Sequence, residues 1–415
     1  MADGLSGALT ARRGPARHRT SGSAWPWWLR VIVLYLLSRL VSTGILLWFA
    51  AHQGANPWTG AAPAYADFAM LWDAHWYYVI AMSGYPSDLP LTEDGLVGEN
   101  AWAFLPLYPI LVQGLSVVTW LPYPVVAVAV SALAGLGTAL LAYRMYEAAG
   151  LGLVATMGGV ALLVVGPVSP IFQLGYAESL HLLLLTAALL LLLRRRYLLT
   201  IPLVVAMAFA RPGALPFALA LGIHLLVRLV RARRGTEPLS PTEALRIIAA
   251  GAASVVAGFA WLAIAWAATG RPGAYLETEN AWRTAYVGHE PLLPFTGWVR
   301  GAVWWAEWNA LPGWVGILAL VTLIGVVGLA FLTPWARRLG TTLRIWVASW
   351  LVYLLAVFFP QSSTWRLLLP AYPAGAVLAV GPRWVLWLGI AGSIALQWWW
   401  VDGMWAVSDY DWTPP

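Results

Sequence analysis

The stretch LWDAHWYYVIAMSGY places a single carboxylate, Asp73, among aromatic side chains in a chain that is otherwise strongly apolar. On a helix, Asp73 shares a face with Tyr77, four positions later, while Trp72 and His75 stand three positions apart. Bulky aromatic neighbours exclude water from a carboxylate and raise its pKa towards that of a useful general base. The alternative is an interfacial anchor helix, because Trp and Tyr are favoured at the membrane–water boundary. We predict the catalytic role for Asp73, with Trp72, His75 and Tyr77 around the substrate.

A second stretch, GPVSPIFQLGYAESLHLLLL, leads from a proline-rich turn into an apolar helix. Tyr176 and Glu178 lie at the start of that helix, and polar residues in membrane helices tend to face a cavity or a partner. A carboxylate near a helix N-terminus is also stabilised by the helix dipole, which would explain Glu178 without any chemistry. We predict that Tyr176 and Glu178 lie close to the site.

Two arginines stand in apolar surroundings, Arg211 in AFARPGALPFALAL and Arg366 in FFPQSSTWRLLLPAYP. An arginine at such a position must meet an anion, the interface or a cavity. A guanidinium group suits two-point binding of phosphate, and the alternative is that it extends to the lipid headgroups. Both are candidates for phosphate contacts, and Arg366 is slightly favoured because the positive-inside rule disfavours an arginine on the outer side. Tyr108 in AWAFLPLYPIL and His289 in the loop 269–311 complete the predicted substrate contacts.

Several kinds of chemistry lack the residues they require. The chain has no Cys, which excludes disulfides, thiol catalysis and cysteine metal sites. No GxGxxG, Walker A, HExxH or GxSxG motif stands in a fitting context, so ATP-driven transport and hydrolase chemistry are disfavoured. No compact DxD or His cluster demands a metal, so we expect no cofactor, and a divalent metal ion is left open as an alternative.

The elements that position these residues must be membrane helices. Of the 415 residues, 60% are hydrophobic and 10% charged, whereas a soluble globular chain carries about 25% charged residues. The sequence therefore predicts an all-α polytopic membrane protein, and its net charge of +6 reflects Arg in cytoplasmic loops, not nucleic-acid binding. The predicted apolar blocks are 28–50, 103–121, 123–143, 152–168, 171–193, 197–210, 213–230, 247–268, 312–333, 344–360, 367–381 and 384–401.

The topology follows from the arginines that flank these blocks. If every block crossed, Arg144 and the cluster Arg194–Arg196 would face the outside, against the positive-inside rule. The conflict disappears if the block 103–121, which contains Pro106 and Pro109, is re-entrant or lies on the surface. This predicts about 11 crossings and a cytoplasmic N-terminus.

This topology places most of the acidic residues outside. It predicts a disordered basic N-terminus over 1–25, a single membrane domain over 26–401, and an extracytoplasmic tail over 402–415. The two longest loops, 51–102 and 269–311, are both extracytoplasmic. The polar chemistry of the chain is therefore expected to face away from the cytoplasm, at a cell membrane.

Four of these blocks resemble, in order and spacing, those of PIG-V-type mannosyltransferases. They are WDAHWYYVIAMSGY, FLPLYPIL, SPIFQLGYAESL and ARPGAL, and the ending STWRLLLPAYP resembles the bacterial members. The resemblance covers residues 30–220 strongly and the rest loosely. The chain departs from the family at Leu71, where a basic residue often precedes Trp-Asp, and at Pro212, where eukaryotic members favour Asn. The Arg-only, Cys-free composition is typical of an actinobacterial member.

The resemblance implies a GT-C-fold glycosyltransferase with its active site outside and a polyprenyl-phosphate sugar as donor. It implies that mannose is transferred with inversion from polyprenyl-phosphate mannose to a lipid, glycan or exported protein. Carried onto this chain, Asp73 is the general base, Arg211 and Arg366 contact the donor phosphate, and Glu178 contacts the sugar or acceptor. The eukaryotic acceptor is not implied for a bacterial chain.

Two other classes compete with this interpretation. A transporter or flippase of a lipid-linked substrate would use the same polar residues as a path, but it would be expected to show inverted repeats with broken helices in matching positions. No clear repeat is present. A structural or regulatory membrane subunit would not need the ordered motif blocks.

Overall fold

The computed structural model describes residues 25–284, 288, 290 and 293–407. Helices dominate these residues, and the extended backbone among them forms one isolated bridge, between Leu91 and Val97. In chain order the helices are α1 (Trp27–His52), α2 (Tyr65–Phe68), α3 (Asp73–Ser83), α4 (Leu107–Thr119), α5 (Tyr123–Ala148), α6 (Leu153–Val164), α7 (Glu178–Leu193), α8 (Tyr197–Ala208), α9 (Ala214–Arg233), α10 (Pro241–Thr269), α11 (Ala274–Ala281), α12 (Thr296–Trp308), α13 (Gly313–Leu332), α14 (Pro334–Arg337), α15 (Gly340–Val357), α16 (Thr364–Leu367), α17 (Ala376–Val380) and α18 (Arg383–Trp400).

Seven of the described helices are long and apolar enough to span a bilayer: α1, α5, α9, α10, α13, α15 and α18 with its continuation to Trp405. Five further apolar helices are shorter: α4, α6, α7, α8 and the segment Leu369–Val380. The chain is thus an all-α polytopic membrane protein. The number of crossings, expected to be about 11, and the GT-C fold stay predictions.

Two predicted apolar blocks are helical over only part of their length. The block 171–193 becomes an α-helix only at Glu178, because residues Ser169–Gln173 form a 3-10 turn that contains Pro170. The block 367–381 begins as a second 3-10 turn, Leu369–Gly375. Proline cannot donate the backbone hydrogen bond of a helix interior, so it favours such breaks.

The helices α6, α7 and α8 are shorter than the thickness of a bilayer core. At 1.5 Å per residue, the 16 residues of α7 span about 24 Å and the 12 residues of α6 and of α8 about 18 Å. The hydrocarbon core of a bilayer is about 30 Å thick. The helix α7 alone is therefore about 6 Å shorter than that core.

A buried arginine in the middle of α1 fixes the turn between α6 and α7. Arg39 donates hydrogen bonds to the carbonyls of Val164 and Ser169, each at 2.6 Å. Its guanidinium also lies against the rings of Tyr35 and Phe172, at 5.2 and 5.3 Å. Cations favour the C-terminal carbonyls of a helix, so Arg39 holds the end of α6 and the turn that leads to α7.

The helix α4 is too short to cross a bilayer alone. Its 13 residues reach about 20 Å, and it packs against α3 and the first half of α5. The hydroxyl of Tyr108 in α4 donates to the carbonyl of Ala127 in α5 at 2.8 Å. This length agrees with the predicted partial crossing of the block 103–121, although its position in a membrane stays a prediction.

Indole N–H groups bind the carbonyls that broken helices leave unpaired. Trp346 donates to the carbonyl of Pro370 and Trp350 to that of Leu367, both at 2.8 Å. A backbone carbonyl buried without a partner is costly, so these two bonds stabilise the irregular segment between α15 and α17.

Candidate active site

Four charged side chains from four distant parts of the chain meet at one point. Arg211 Nη2 lies 3.0 Å from Asp73 Oδ2, and Arg366 Nη1 lies 2.9 Å from the same oxygen. Arg366 Nη1 also lies 2.8 Å from Glu178 Oε1, which in addition accepts a hydrogen bond from Arg211 Nη2. The four groups form a closed ring in which the charges alternate. We call it the charged ring.

The charged ring is largely shielded from water. The side chains of Asp73 and Glu178 are 12% and 6% exposed, and those of Arg211 and Arg366 are 16% and 9% exposed. Two carboxylates and two guanidinium groups give a formal charge of zero, which lowers the cost of burying them. Glu178 Oε2 and Arg211 Nε are buried and have no hydrogen-bond partner among the described residues.

Asp73 is positioned by an unusual backbone conformation at the residue before it. Trp72 has φ 59° and ψ −125°, a region that residues with a side chain rarely adopt. Its indole N–H donates to the carbonyl of Trp405 at 2.8 Å, which holds the strained turn in place. The N–H of Asp73 then donates to the hydroxyl of Tyr176 at 3.1 Å, so the helix α3 begins with its carboxylate in the ring. Strain of this kind persists only where the surrounding structure enforces it.

Glu178 enters the ring from the first residue of α7. The turn before α7 comes close to the segment that carries Asp73, because the N–H of Gly175 donates to the carbonyl of Ala69 at 2.9 Å. A Cβ at Gly175 would lie 2.6 Å from Met70 Sδ and 3.2 Å from the Ala69 carbonyl oxygen, so only glycine fits without displacing these atoms.

The two arginines lie where the long helices are interrupted. Arg211 lies in the turn between α8 and α9, where Gly213 packs against the ring of His181. Arg366 lies in the one-turn helix α16, and its guanidinium stands 5.6 Å from the centre of the Tyr176 ring. A guanidinium over an aromatic ring is held by the ring electrons, so Tyr176 supports both Arg366 and the backbone of Asp73.

Burial raises the pKa of Asp73 to about 6, although the positive charge of Arg211 and the backbone hydrogen bond of Asp73 both lower it. Asp73 lies in α3, outside the membrane-spanning helices. A carboxylate with a pKa of about 6 is ionised at neutral pH and still accepts a proton readily. The environment of Asp73 is therefore suited to general-base chemistry.

The structure brings together some of the other predicted site residues and separates the rest. Tyr77 shares the buried face of α3 with Asp73, and its ring lies 6.4 Å from that of Tyr176. Tyr108 lies beneath Tyr77, and its hydroxyl bonds to α5, so it packs under the site instead of facing it. His75 points away from the ring and lines a cleft on the other side of α3. His289 lies outside the described residues.

Two residues near the site were not predicted from the sequence. Trp405 lies within the predicted extracytoplasmic tail, yet it is fully buried and its ring is 5.1 Å from that of Tyr176. Arg39 lies in the apolar middle of α1, where an arginine is costly. The cost of burying an arginine could have identified Arg39 from the sequence. Nothing local in the sequence distinguishes Trp405 from the other tryptophans near the C-terminus.

Within the described ranges, no group of three or more His, Asp or Glu side chains is arranged so that it could hold a metal ion. The charged ring contains two carboxylates, and both already bind guanidinium groups. Chemistry without a cofactor stays a prediction.

No protein-family model matches the chain, and none of the curated proteins compared with it matches significantly. The resemblance to PIG-V-type mannosyltransferases therefore rests on the quoted sequence blocks alone.

Proposed function

We propose that the chain is an integral-membrane inverting glycosyltransferase that moves mannose from polyprenyl-phosphate mannose to an extracytoplasmic lipid, glycan or protein acceptor. The observation that carries this proposal is the charged ring, in which Asp73 and two phosphate-binding candidates, Arg211 and Arg366, meet at one oxygen atom. A sugar transferase of this class needs a base for the acceptor and cations for the departing phosphate.

Both guanidinium groups point to the place where an anion would bind. Arg211 Nη2 and Arg366 Nη1 contact the same oxygen of Asp73, at 3.0 and 2.9 Å. A phosphate oxygen in that place would be bound by both cations at once, and Arg is well suited to such multi-point contacts. Their positive charge would stabilise the negative charge that develops on the leaving phosphate, without a metal ion.

In the proposed step, Asp73 accepts the proton of an acceptor hydroxyl. The acceptor oxygen forms a bond to C1 of mannose from the face opposite the phosphate, so the configuration at C1 inverts. The bond between C1 and the phosphate oxygen breaks, and the electron pair leaves with polyprenyl phosphate. Arg211 and Arg366 bind the leaving group, and the proton on Asp73 passes to solvent when the site opens.

The same contacts favour a binding order. The donor phosphate competes with Asp73 for the two guanidinium groups, so its arrival removes cations from the carboxylate. A carboxylate that loses a cationic neighbour becomes more basic. Asp73 therefore becomes a better base once the donor is bound, which favours donor binding before reaction with the acceptor and limits proton abstraction when no donor is present.

Glu178 has a supporting role in this proposal. It binds both arginines through Oε1 and so keeps them converged after the phosphate displaces Asp73. Its second oxygen, Oε2, is buried and has no hydrogen-bond partner within the described residues. That oxygen is available to a sugar hydroxyl, because carboxylate oxygens accept hydrogen bonds only.

The proposed location is the outer side of a plasma membrane. The charged ring lies at the N-terminal end of α7, and Arg194–Arg196 follow its opposite end. Arginine clusters favour the cytoplasmic side. On this topology a lipid-borne phosphate would reach the ring from the outer leaflet.

The direct test is transfer of radiolabelled mannose from polyprenyl phosphate to a membrane lipid extract by the purified protein. We expect a labelled product with the wild type and a loss of about 10²- to 10⁴-fold in rate with Asp73→Asn, the range for removal of a general base. Asp67→Asn, an exposed carboxylate on α2, is the matched control and should transfer normally.

Two outcomes would contradict the proposal. Transfer by Asp73→Asn at the wild-type rate would show that Asp73 is not the general base. Movement of the intact donor across a bilayer, without any labelled product, would instead support the transporter or flippase alternative.

A further inference from the structure

His181 is a buried histidine beside the charged ring. It lies three positions after Glu178 in α7, so the two side chains share a face of that helix. The residue is 2% exposed. A Cβ at Gly213 would lie 2.5 Å from Cε1 of His181, which shows how closely the imidazole packs against the turn between α8 and α9. The turn that carries Arg211 therefore rests on the ring of His181.

Both ring nitrogens of His181 are buried, and neither has a hydrogen-bond partner among the residues that the structure describes. The backbone of Arg211 adjoins the ring, and the charge of Arg211 is close enough to act on it. A second cation buried beside Arg211 would be costly, so the imidazole is neutral. A neutral imidazole has one N–H donor and one acceptor nitrogen. Buried polar atoms are normally hydrogen-bonded, so the acceptor nitrogen of His181 needs an explanation.

Arg211 carries an unpaired group of the opposite kind. Its Nη2 binds Asp73 and Glu178. Its Nε–H is buried and has no acceptor in the described part of the chain. A guanidinium group can only donate, and the imidazole against the same turn offers an acceptor. A buried donor and a buried acceptor, both unpaired, thus lie in neighbouring side chains.

The packing around the turn allows Arg211 to shift towards His181. The N–H groups of Ala210 and Arg211 both donate to the carbonyl of Met207, each at 3.0 Å. The side chain of Met207 also packs against Gly213, and an unbranched methionine adapts readily to small movements. The imidazole has a firmer support, because its ring lies 6.1 Å from that of Trp350, whose indole is bound to the Leu367 carbonyl.

We propose that His181 is a positioning residue for Arg211, and that its acceptor nitrogen binds the Nε–H of Arg211 when the donor phosphate arrives. The inference rests on the proposed glycosyltransferase function. A phosphate that displaces Asp73 frees the guanidinium group to turn, and the bond to His181 then fixes it towards the phosphate. Because two unpaired groups become paired, this bond favours the phosphate-bound arrangement over the donor-free one.

The first test is binding of radiolabelled polyprenyl-phosphate mannose to the protein in nanodiscs, together with kcat at saturating donor. His181→Leu keeps a similar side-chain volume and removes both nitrogens. We expect its donor Kd to rise about tenfold, which is equivalent to about 1.4 kcal/mol, with little change in kcat. His181→Gln retains an acceptor oxygen and N–H donors and should restore most of the affinity.

Melting temperatures separate positioning from packing. Because His181→Leu removes two unpaired buried nitrogens, the donor-free variant should melt at the same temperature as the wild type or higher. A packing residue would instead lose stability, and Gln would not restore donor binding. Ser179→Ala is the matched control, since its hydroxyl is also buried and unpaired within the described ranges. It lies about 200° away from His181 around α7 and should bind the donor like the wild type.

The second test observes the proposed hydrogen bond directly. Nitrogen-15 NMR of histidine-labelled protein is recorded with and without polyprenyl phosphate, and the His181 signals are assigned by their loss in His181→Gln. We expect the resonance of the unprotonated ring nitrogen to shift to lower frequency when the lipid is added, as it does when such a nitrogen accepts a hydrogen bond. A resonance that is already shifted without the lipid, or that stays in place with it, would overturn the inference.

The outcomes separate this inference from the proposed function. Normal transfer by the wild type, with equal donor Kd in His181→Leu or no rescue by His181→Gln, would refute the role of His181 alone. The expected binding changes without any transfer would leave His181 as a positioning residue of a lipid-phosphate site and refute the glycosyltransferase. A wild-type protein that binds neither polyprenyl phosphate nor its mannosyl derivative would refute both.

Discussion

The pH dependence of transfer should report the pKa of Asp73. A shift of this pH dependence in one variant tests whether the charged ring has the geometry described above. Burial raises the pKa of Asp73 to about 6, and the charge of Arg211 acts against that rise. The perturbation is Arg211→Gln, which keeps a hydrogen-bonding side chain and removes the positive charge 3.0 Å from the carboxylate. We expect the activity of the variant to fall away at a higher pH than that of the wild type.

The size of the effect follows from the protonation of one group. With a pKa of about 6, Asp73 is about 91% ionised at pH 7 and about 9% ionised at pH 5, so transfer should fall about tenfold between them. A neighbouring cation lowers the pKa of a carboxylate by about 1–3 units. Because Arg366 stays in place, we expect Arg211→Gln to raise the apparent pKa by about 1 unit.

The measurement is kcat/KM for the donor between pH 4.5 and 8, since its pH dependence reports the free enzyme. The overall rate of Arg211→Gln will also be lower, because a phosphate contact is lost. The comparison therefore uses the pH at which kcat/KM falls and not its maximum value. Arg271→Gln, which removes an exposed arginine paired with Glu277 at the turn between α10 and α11, is the matched control and should keep the wild-type profile.

Two results would refute this reasoning. A profile of Arg211→Gln that stays in place, or that moves to lower pH, would mean that Arg211 does not act on the catalytic base. A wild-type profile without any acidic limb near pH 6 would mean that another group accepts the proton.

Three further predictions concern the residues that build the site. Gly175→Ala should destabilise the protein by about 1–3 kcal/mol through overpacking against Met70 Sδ, seen as a lower melting temperature in detergent, whereas Gly222→Ala has open space and should not. Trp72→Phe removes the indole donor to a buried carbonyl and should cost about 1 kcal/mol in the free energy of unfolding; unchanged stability would show that this bond does not support the strained turn. Arg366→Lys keeps the charge but loses the forked geometry, so the donor KM should rise at least about tenfold with little change in the acceptor KM, and an effect on the acceptor alone would place Arg366 away from the phosphate.

Much of the helical framework could be predicted from the sequence because it depends on local properties. Long apolar runs must satisfy their backbone hydrogen bonds internally in a bilayer, so they become helices. Proline and glycine set where these helices end, as at Pro170 and Gly175 before α7. The positions of Arg144 and Arg194–Arg196, together with two prolines, predicted that the block 103–121 does not cross fully, and the 13-residue length of α4 agrees with that prediction.

The orientation of side chains around α3 was only partly predictable. A period of 3.6 residues correctly placed Tyr77 on the face of Asp73. The side that faces the core depends on neighbouring helices, and these turn His75 towards the cleft. For the same reason the buried position of Trp405 could not be predicted, since its partners are Trp72 and Tyr176, more than 200 residues earlier.

The sequence by itself determined the helical membrane class and singled out Asp73, Glu178, Arg211 and Arg366 as four separate polar residues in apolar surroundings. Each had its own local explanation, such as a dipole partner for Glu178 or extension to the headgroups for the arginines. Only the tertiary structure decided that they form one ring, with guanidinium and carboxylate groups within 3.0 Å. The physical reason is that buried charges need opposite charges close by. The breaks before α7 and after α8 bring these residues together in the protein interior, where those partners are one another.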